Sequence, residues 1–499
     1  MPVHDKVKQH AERMGAQTAV NIEGKTLSWK QLWLRALSFY AAMVKSPARG
    51  SAFAPGKVIA VALGNDLEFA PAWLAATANT HICAVIDPQL PLSQLDDVLA
   101  RLAPDLLLVK GAHAALIEAA QRMNINVLPV EQVADAEASE AEAQAFIRHV
   151  DAATPFLINF TSGTTSTPKA FMRSRRSWRV SFRNGYDIFN LSSAACTLFP
   201  GPLFHGIGLY CLNEALDAGA TLYCMEKWDA HRALALLVEH QIQRLVLVPT
   251  MLTAFSRIDA AALPCVTHLL SAGAKLEFNH YRQARAKFPN AGIQEYYGAS
   301  ELGFIAVSSL DDDNVDSALS TVGLPFPEVS WSIRDEQGQP LGKNQPGIIY
   351  LDSEQACMGY LWGDDGKAFK QQPFGSTVHD LGYINDQGRL HVIGRSGDMI
   401  VSGGNNIYLS EVESVLKSLP GIVEAVVLAV DDAYLGKKMV AFIETEKIDI
   451  ATLPTLCLTQ LAKYKIPAQF CKVSHWPLTP SGKIRRSVLE ERFINHEIN

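Results

Sequence analysis

Short apolar runs recur along this chain, each separated from the next by about the length of one helix. Val58-Ile59-Ala60-Val61-Ala62-Leu63, Cys83-Ala84-Val85-Ile86, Leu106-Leu107-Leu108-Val109 and Val127-Leu128-Pro129 follow one another in this way. None of them alternates apolar with polar, so both faces of each strand must be covered, as in a parallel sheet packed between helices. The expectation is an α/β protein whose large N-terminal domain carries parallel or mixed sheets with flanking helices. Leu27-Ser28-Trp29-Lys30-Gln31-Leu32 opens a helix on a capping-type serine. Residues 134–145, rich in Ala and Glu without an apolar stripe, read as a solvated surface helix or linker. The last hundred or so residues change character. A helix through Leu419, strands Ala425 to Val430 and Met439 to Glu444, and a helix toward Tyr464 predict a small α+β domain. At 499 residues the chain exceeds what one hydrophobic core serves, so more than one domain is expected.

Composition removes several function classes. A formal net charge of −7 gives no electrostatic reason for a nucleic-acid or acidic-membrane partner. The eight cysteines show no CxxC pairs or zinc spacing and read as reduced, mostly buried thiols. The polar N-terminus is no signal peptide, and no apolar run approaches the roughly 20 residues of a spanning helix. The expectation is a soluble, cytoplasmic protein.

Phe156-Leu157-Ile158-Asn159-Phe160 reads as a buried strand, and it runs directly into a loop of hydroxyls, one glycine and one lysine. The loop residues Thr161, Ser162, Gly163, Thr164, Thr165 and Lys169 offer backbone N–H groups, hydroxyls and an ammonium, a set suited to phosphate oxygens. A Walker loop fails on detail. Pro168 has no N–H to donate, and Ala170 has no hydroxyl for Mg²⁺.

The loop resembles the phosphate loop of the AMP-forming adenylating enzymes, the superfamily of acyl-CoA synthetases, adenylation domains and luciferases. Ser166 and Ala170 replace two of that family's glycines. Further stretches agree in order. Phe204-His205-Gly206-Ile207-Gly208 is similar to the acyl-pocket segment, which implies that His205 stands near the substrate carboxylate. Gly206 occupies a place where amino-acid-activating relatives carry an aspartate, so a free amino acid is disfavoured. Ser271-Ala272-Gly273-Ala274 resembles the turn against adenine, implying roles for Gly273 and Ala274. Tyr296-Tyr297-Gly298-Ala299-Ser300-Glu301 matches another signature: Tyr297 and Gly298 near adenine, Ser300 toward the α-phosphate, Glu301 as the Mg²⁺ ligand. Asp380 and Arg395 match the ribose contacts. Ser402-Gly403-Gly404-Asn405-Asn406-Ile407-Tyr408 resembles the hairpin that guides a pantetheine thiol, and Ser481-Gly482-Lys483 places the family's catalytic lysine at Lys483.

The resemblance implies an ATP-dependent acid–thiol ligase, closest to acyl-CoA synthetases of the kind used in fatty acid metabolism. A carboxylic acid, ATP with Mg²⁺, and CoA would be its partners, with Lys483, Glu301, His205 and Thr164 at the chemistry. An acyl-AMP ligase that loads a carrier protein shares these parts, and so does a luciferase-like oxidising activity. A non-catalytic relic would be expected to have lost Lys483, Glu301 or Asp380. Oligomeric state is left open. Apolar residues near Ile207 and Met251 favour an aliphatic or aryl acid. The expected division is residues 1–396, which bind acid and ATP, and residues 397–499, a mobile lid, with the pivot at Gly397 or Asp398. The cluster Arg173, Arg175, Arg176, Arg179 and Arg183 reads either as a solvated helix face or as an attractor for phosphates, with Trp178 and Phe182 on one buried face of the same helix.

Overall fold

A computed structural model describes residues 3–45, 56–134, 139–161, 168–364, 366, 368–395, 399–402, 405–432, 436–445, 447–480 and 482–498. Two large sheets dominate the N-terminal part. One holds the strands Val58–Ala62, Ile82–Val85, Leu106–Val109 and Asn126–Pro129 in parallel register, extended through Pro155–Thr161, Lys169–Ser174 and Gly359–Trp362. The other carries Cys196–Leu198, Thr221–Cys224, Arg244–Leu247 and His268–Ser271 in parallel and continues through the antiparallel pair Gly292–Ala299 and Gly303–Leu310.

The unbroken apolar runs are explained by where their alternate residues go. Ile59, Val61, Cys83 and Val85 join a central core with the helices Trp29–Lys45, Phe69–Ala76 and Gly206–Ala218 and with Val246 and Leu270 of the second sheet. Val58, Ala60, Ile82 and Ala84 face the helices Leu92–Leu102 and Ala114–Arg122. Leu245, Leu247 and Leu269 face the helices Ala230–Glu239, Pro249–Ser256 and Phe278–Lys287. Helices therefore lie between the two sheets and on both outer faces, and every residue of Val58–Ala62, Ile82–Val85, Leu106–Val109 and Arg244–Leu247 is buried on one side or the other. Ser28 caps its helix as expected, with its Oγ accepting the Gln31 N–H at 3.2 Å and Gln31 Oε1 accepting the Ser28 N–H at 2.8 Å.

The C-terminal segment has cores of its own. Strands Ile422–Asp432, Gly436–Thr445 and Gln469–Lys472 form one sheet. One face packs on the helices Leu409–Ser418 and Leu453–Cys457 through Val412, Leu416 and Leu453, and the other packs on Leu489 of the helix Arg486–Ile494. The helix expected toward Tyr464 is only the short Leu453–Cys457 piece, followed by a single 3₁₀ turn at Lys463–Lys465. Among the described residues no helix is long and apolar enough to cross a membrane.

Trp178 and Phe182 are both buried against Tyr210, but they sit on two short helices, Arg175–Arg179 and Phe182–Asp187, rather than on one. The arginine cluster divides as well. Arg175 is buried and donates to the carbonyls of Thr77 at 3.0 Å and His81 at 3.2 Å, and Arg173 is buried in the same way. Arg176 and Arg183 pair with Glu354 and Glu328 at the surface. Neither the solvated-face nor the phosphate-attractor reading holds for Arg173 and Arg175, because both are spent on backbone carbonyls.

Candidate active site

The strand Pro155–Thr161 and its antiparallel neighbour Lys169–Ser174 place Thr161 opposite Lys169, so both ends of the hydroxyl-rich loop are fixed in the sheet. Ser162, Gly163, Thr164 and Thr165 lie outside the described residues. The strand Gly359–Trp362 supports this hairpin from the side, pairing Tyr360 with Phe171, and the Trp362 indole N–H donates to the Pro168 carbonyl at 3.0 Å. Gly363 adopts a left-handed conformation (φ +83°) in contact with the Lys169 stem, where a Cβ would come within 2.7 Å of Lys169 Cγ.

Ser300 and Glu301 sit at the tip of the hairpin formed by Gly292–Ala299 and Gly303–Leu310. Gly298 crosses the Gly303 carbonyl so closely that a Cβ would lie 2.7 Å from it. Buried Arg173 holds this tip, donating to the carbonyls of Ser300 and Gln355. Burial pushes its pKa down to about 10, partly opposed by Cys357 and Glu301, so the guanidinium stays charged at neutral pH. Glu301 is 8% exposed, and its Oε1 accepts the Tyr360 hydroxyl. Tyr360 also bonds Thr161, which links the base of the hydroxyl-rich loop to the carboxylate. Burial, and then the charge of Glu301, raise the Tyr360 pKa, so the phenol remains a donor.

Asp380 opens the strand Asp380–Ile384 directly opposite Arg395, the last residue of Leu390–Arg395. Its carboxylate is buried, accepts the Tyr297 hydroxyl on one oxygen and receives Arg395 Nε at 3.2 Å on the other. Arg395 itself remains largely exposed to the cleft.

The C-terminal segment brings Lys483 to the same place. Gly273 has φ +83°, and a Cβ there would meet Ile207 at 3.3 Å, Lys483 Cε at 3.4 Å and Val248 at 3.4 Å. Thr250 Oγ1 donates to the Gly482 carbonyl at 2.8 Å and so seats the lysine loop. Lys483 keeps access to solvent along the cleft, but the crowded walls desolvate it. That desolvation and the nearby Arg395 charge lower its pKa, while Glu301 acts in the opposite sense. His205 caps the helix Gly206–Ala218, and its pKa falls to about 4 by burial and by the Lys483 charge, so it is a neutral imidazole at physiological pH. Gly206 lies beside Ser300, whose Oγ would be 3.3 Å from a Cβ at that position. Ala274 is exposed next to Gly273.

Lys483, Glu301, His205, Gly273, Ser300 and Arg395 therefore converge, with Asp380 and Tyr297 beside them. Gly403 and Gly404 lie outside the described residues, as do Ser396, Gly397 and Asp398. The strands on either side of the two glycines, Met399–Ser402 and Asn405–Tyr408, pair as a hairpin. Sequence reasoning missed Tyr360 and misread Arg173, and it placed Thr250 at the end of a pocket-lining strand where the structure has it in the helix Pro249–Ser256, bonded to the lysine loop. The signal for Tyr360 was the glycine before it: Gly359, at φ +111°, opens the strand that carries the phenol. Nothing local marks Arg173 as a clamp, because its partners are backbone carbonyls more than a hundred residues away.

The sequence pattern described as "AMP-binding enzyme" matches residues 7–361, and that described as "AMP-binding enzyme C-terminal domain" matches residues 411–483. The chain is 31% identical to the uncharacterized acyl–CoA ligase YhfT of Bacillus subtilis over 478 residues, 96% of this chain and 95% of the relative. It is 28% identical to the 2-succinylbenzoate–CoA ligase of Bacillus velezensis over 492 residues, 97% of this chain and 96% of the relative. Among solved structures, ATP-bound MatB from Rhodopseudomonas palustris shares the fold with a TM-score of 0.84 at 23% identity, covering 98% of this chain and 99% of that one.

Proposed function

The chain belongs to the AMP-binding enzyme family, and from that premise we propose that it is an ATP-dependent, AMP-forming acyl-CoA ligase acting in the cytoplasm. A carboxylate oxygen attacks the α-phosphorus of ATP, the bond to the β-phosphate oxygen breaks, and pyrophosphate leaves. The sulfur of CoA then attacks the acyl carbonyl of the acyl-AMP, and AMP departs. No protein nucleophile takes part, so catalysis rests on positioning and charge. The observation that carries this reading is the arrival of Lys483, from the C-terminal segment, at Gly273 between His205, Glu301 and Arg395.

In this scheme Asp380 accepts the ribose hydroxyls with Arg395 beside it, and Gly273, Ala274, Tyr297 and Gly298 border the adenine. The loop from Thr161 through Lys169, with Ser162 to Thr165, holds the phosphates, and Ser300 and Lys483 meet the α-phosphate. Neutral His205 stands beside the entering carboxylate without repelling Lys483. Glu301 fits a Mg²⁺ site. Tyr360 engages its Oε1, and Mg²⁺ characteristically takes one or two carboxylates, completing its shell with phosphate oxygens and water. That ion, when bound, offsets the charge of the departing pyrophosphate. The hairpin at Gly403 and Gly404 gives a narrow thiol arm close passage, and the division between acid- and ATP-binding and lid domains falls at 396/397.

The test is ATP–pyrophosphate exchange screened over carboxylic acids, with and without CoA. Acid-dependent exchange, then thioester and AMP when CoA is added, is the expected result. Release of ADP and phosphate would overturn the reading.

A further inference from the structure

Two walls meet at Lys483, and both lead away from it to the same buried ion pair. On the helix Gly206–Ala218, Ile207 reaches Gly273, and Cys211 and Glu214 follow at the spacing that keeps them on the same face. Beside it, Val248 also reaches Gly273, and Val246 and Arg244 follow it at alternate positions back down the strand Arg244–Leu247. Helix rise carries Glu214 roughly 10 Å below Ile207, and strand rise carries Arg244 roughly 13 Å from Val248. There Arg244 donates to Glu214 Oε2 at 2.7 Å, with the two side chains 4% and 3% exposed. A cavity of ≈ 10 Å³ adjoins them, lined also by Tyr210, Cys211, Val246 and Tyr296.

A structural role alone accounts poorly for this pair. Enclosed ion pairs are seldom net stabilising, and this one leaves Glu214 Oε1 and Arg244 Nε buried without a hydrogen-bond partner. Each such atom carries a desolvation cost that an occupant of the right polarity removes.

We infer that this ion pair is the floor of the acyl pocket and that the acid activated here carries a hydroxyl at the end remote from its carboxylate. This rests on the ligase reading above and names its substrate class. The two unpaired atoms are one acceptor and one donor. A hydroxyl donates to Glu214 Oε1 and accepts from Arg244 Nε–H, satisfying both without adding charge. A second carboxylate brings an anion against Glu214, and a terminal methyl leaves both atoms unpaired. Without the acid, one water has the same hydrogen-bonding complement, and the cavity is about one water in size.

The experiment compares acids of matched length in ATP–pyrophosphate exchange: hexanoic and octanoic acids, their ω-hydroxy and ω-carboxy counterparts, and phenylpropanoic against para-hydroxyphenylpropanoic acid. The hydroxy acids are expected to exceed both partners in kcat/KM by about ten- to a hundred-fold, the range of one hydrogen bond to a charged group. In a Glu214→Leu/Arg244→Met double variant, which leaves no lone charge in the core, the preference should pass to the methyl-ended acids. The wild-type comparison decides the matter even if that variant fails to fold. Exchange that favours methyl- or carboxy-ended acids in the wild type, or a hydroxyl preference unchanged in the folded double variant, overturns the inference and leaves the ligase reading standing. No exchange with any acid overturns the ligase reading, and this inference with it.

Discussion

The two halves of the site are held in opposite ways. Tyr297 and Asp380 stand on paired strands and Glu301 sits at a hairpin tip; the Glu301 and Asp380 carboxylates are buried, the first hydrogen-bonded by Tyr360 and the second by Tyr297 and Arg395. Arg173 fixes the backbone beneath them. The Lys483 loop reaches the same cleft from a segment with separate cores, and few hydrogen bonds among the described residues hold it. Those between the two parts include Thr250 to the Gly482 carbonyl, Asn279 to the Ile422 carbonyl at 3.3 Å, and the Arg257–Glu444 pair at the surface. Breaking the first half costs a network of desolvated partners. Releasing the second costs a few hydrogen bonds that water replaces, about 1 kcal/mol each. The proposed reaction needs that asymmetry: in it the nucleotide site persists through both half-reactions, whereas Lys483, needed only in the first, must be able to leave.

Removing the ammonium gives the largest separation between the halves. Lys483→Ala should lower adenylation by about 2–4 kcal/mol, the range for one transition-state donor. Thioester formation from supplied acyl-AMP should be nearly unchanged, because the fixed half is intact. Equal loss in both steps, measured by exchange and by single-turnover transfer, would make Lys483 a structural residue.

The same charge can be removed by pH. Burial and Arg395 lower the Lys483 pKa below its ordinary 10.5, so the free enzyme loses this proton earlier on the alkaline side than an exposed lysine does. In the profile of kcat/KM for adenylation, activity should fall with an apparent pKa below 10.5, by about tenfold per pH unit beyond it. Transfer from acyl-AMP should lack this limb and speed up as pH rises toward the thiol pKa. An adenylation rate flat to pH 10.5 would show that the closed cleft does not reach the lysine.

Tyr360→Phe probes the fixed half. It deletes the hydrogen bond to the charged Glu301 carboxylate, an effect of about 1.5–3 kcal/mol where that carboxylate acts, together with the weaker bond to Thr161. The expected outcome is roughly a tenfold loss in adenylation with a raised Mg²⁺ requirement and little change in melting temperature, because the ring still packs against Phe171. An unchanged Mg²⁺ requirement would detach Tyr360 from the metal site.

What the sequence made legible follows the same division. Strands such as Val58–Ala62 and Leu106–Val109 were readable because burial on both faces removes every polar residue from the run. Glu301, Asp380 and Lys483 were reachable because each sits in a short contiguous stretch that resembles a motif of the adenylating enzymes. The residues that organise them were not. Arg173 and Arg175 lie among basic neighbours that are exposed, Arg176, Arg179 and Arg183, and only tertiary contact separates a buried clamp from a solvated face. Glu214 and Arg244 are distant in sequence, and their pairing appears only once the helix Gly206–Ala218 is laid on the strand Arg244–Leu247. In the C-terminal segment, Pro454 stands at the start of the helix Leu453–Cys457, which ends after a few residues, so the expected longer helix toward Tyr464 does not form.

The finest test weakens the seat of the removable half without touching the lysine. Thr250 is a threonine whose hydroxyl donates to the Gly482 carbonyl, one residue before Lys483, and whose shape valine reproduces. Thr250→Val therefore deletes one hydrogen bond between the two parts and little else, about 1 kcal/mol, or roughly a fivefold shift away from the closed arrangement. Adenylation, which uses that arrangement, should fall by up to about fivefold. Transfer, for which the proposed scheme has the lysine loop leave, should hold or rise. Thr250→Ser retains the hydroxyl and should restore adenylation, which a packing effect of the lost methyl would not allow. If the valine variant slows both half-reactions alike, Thr250 acts on the cleft as a whole, and the two halves are less independent than their hydrogen bonds imply.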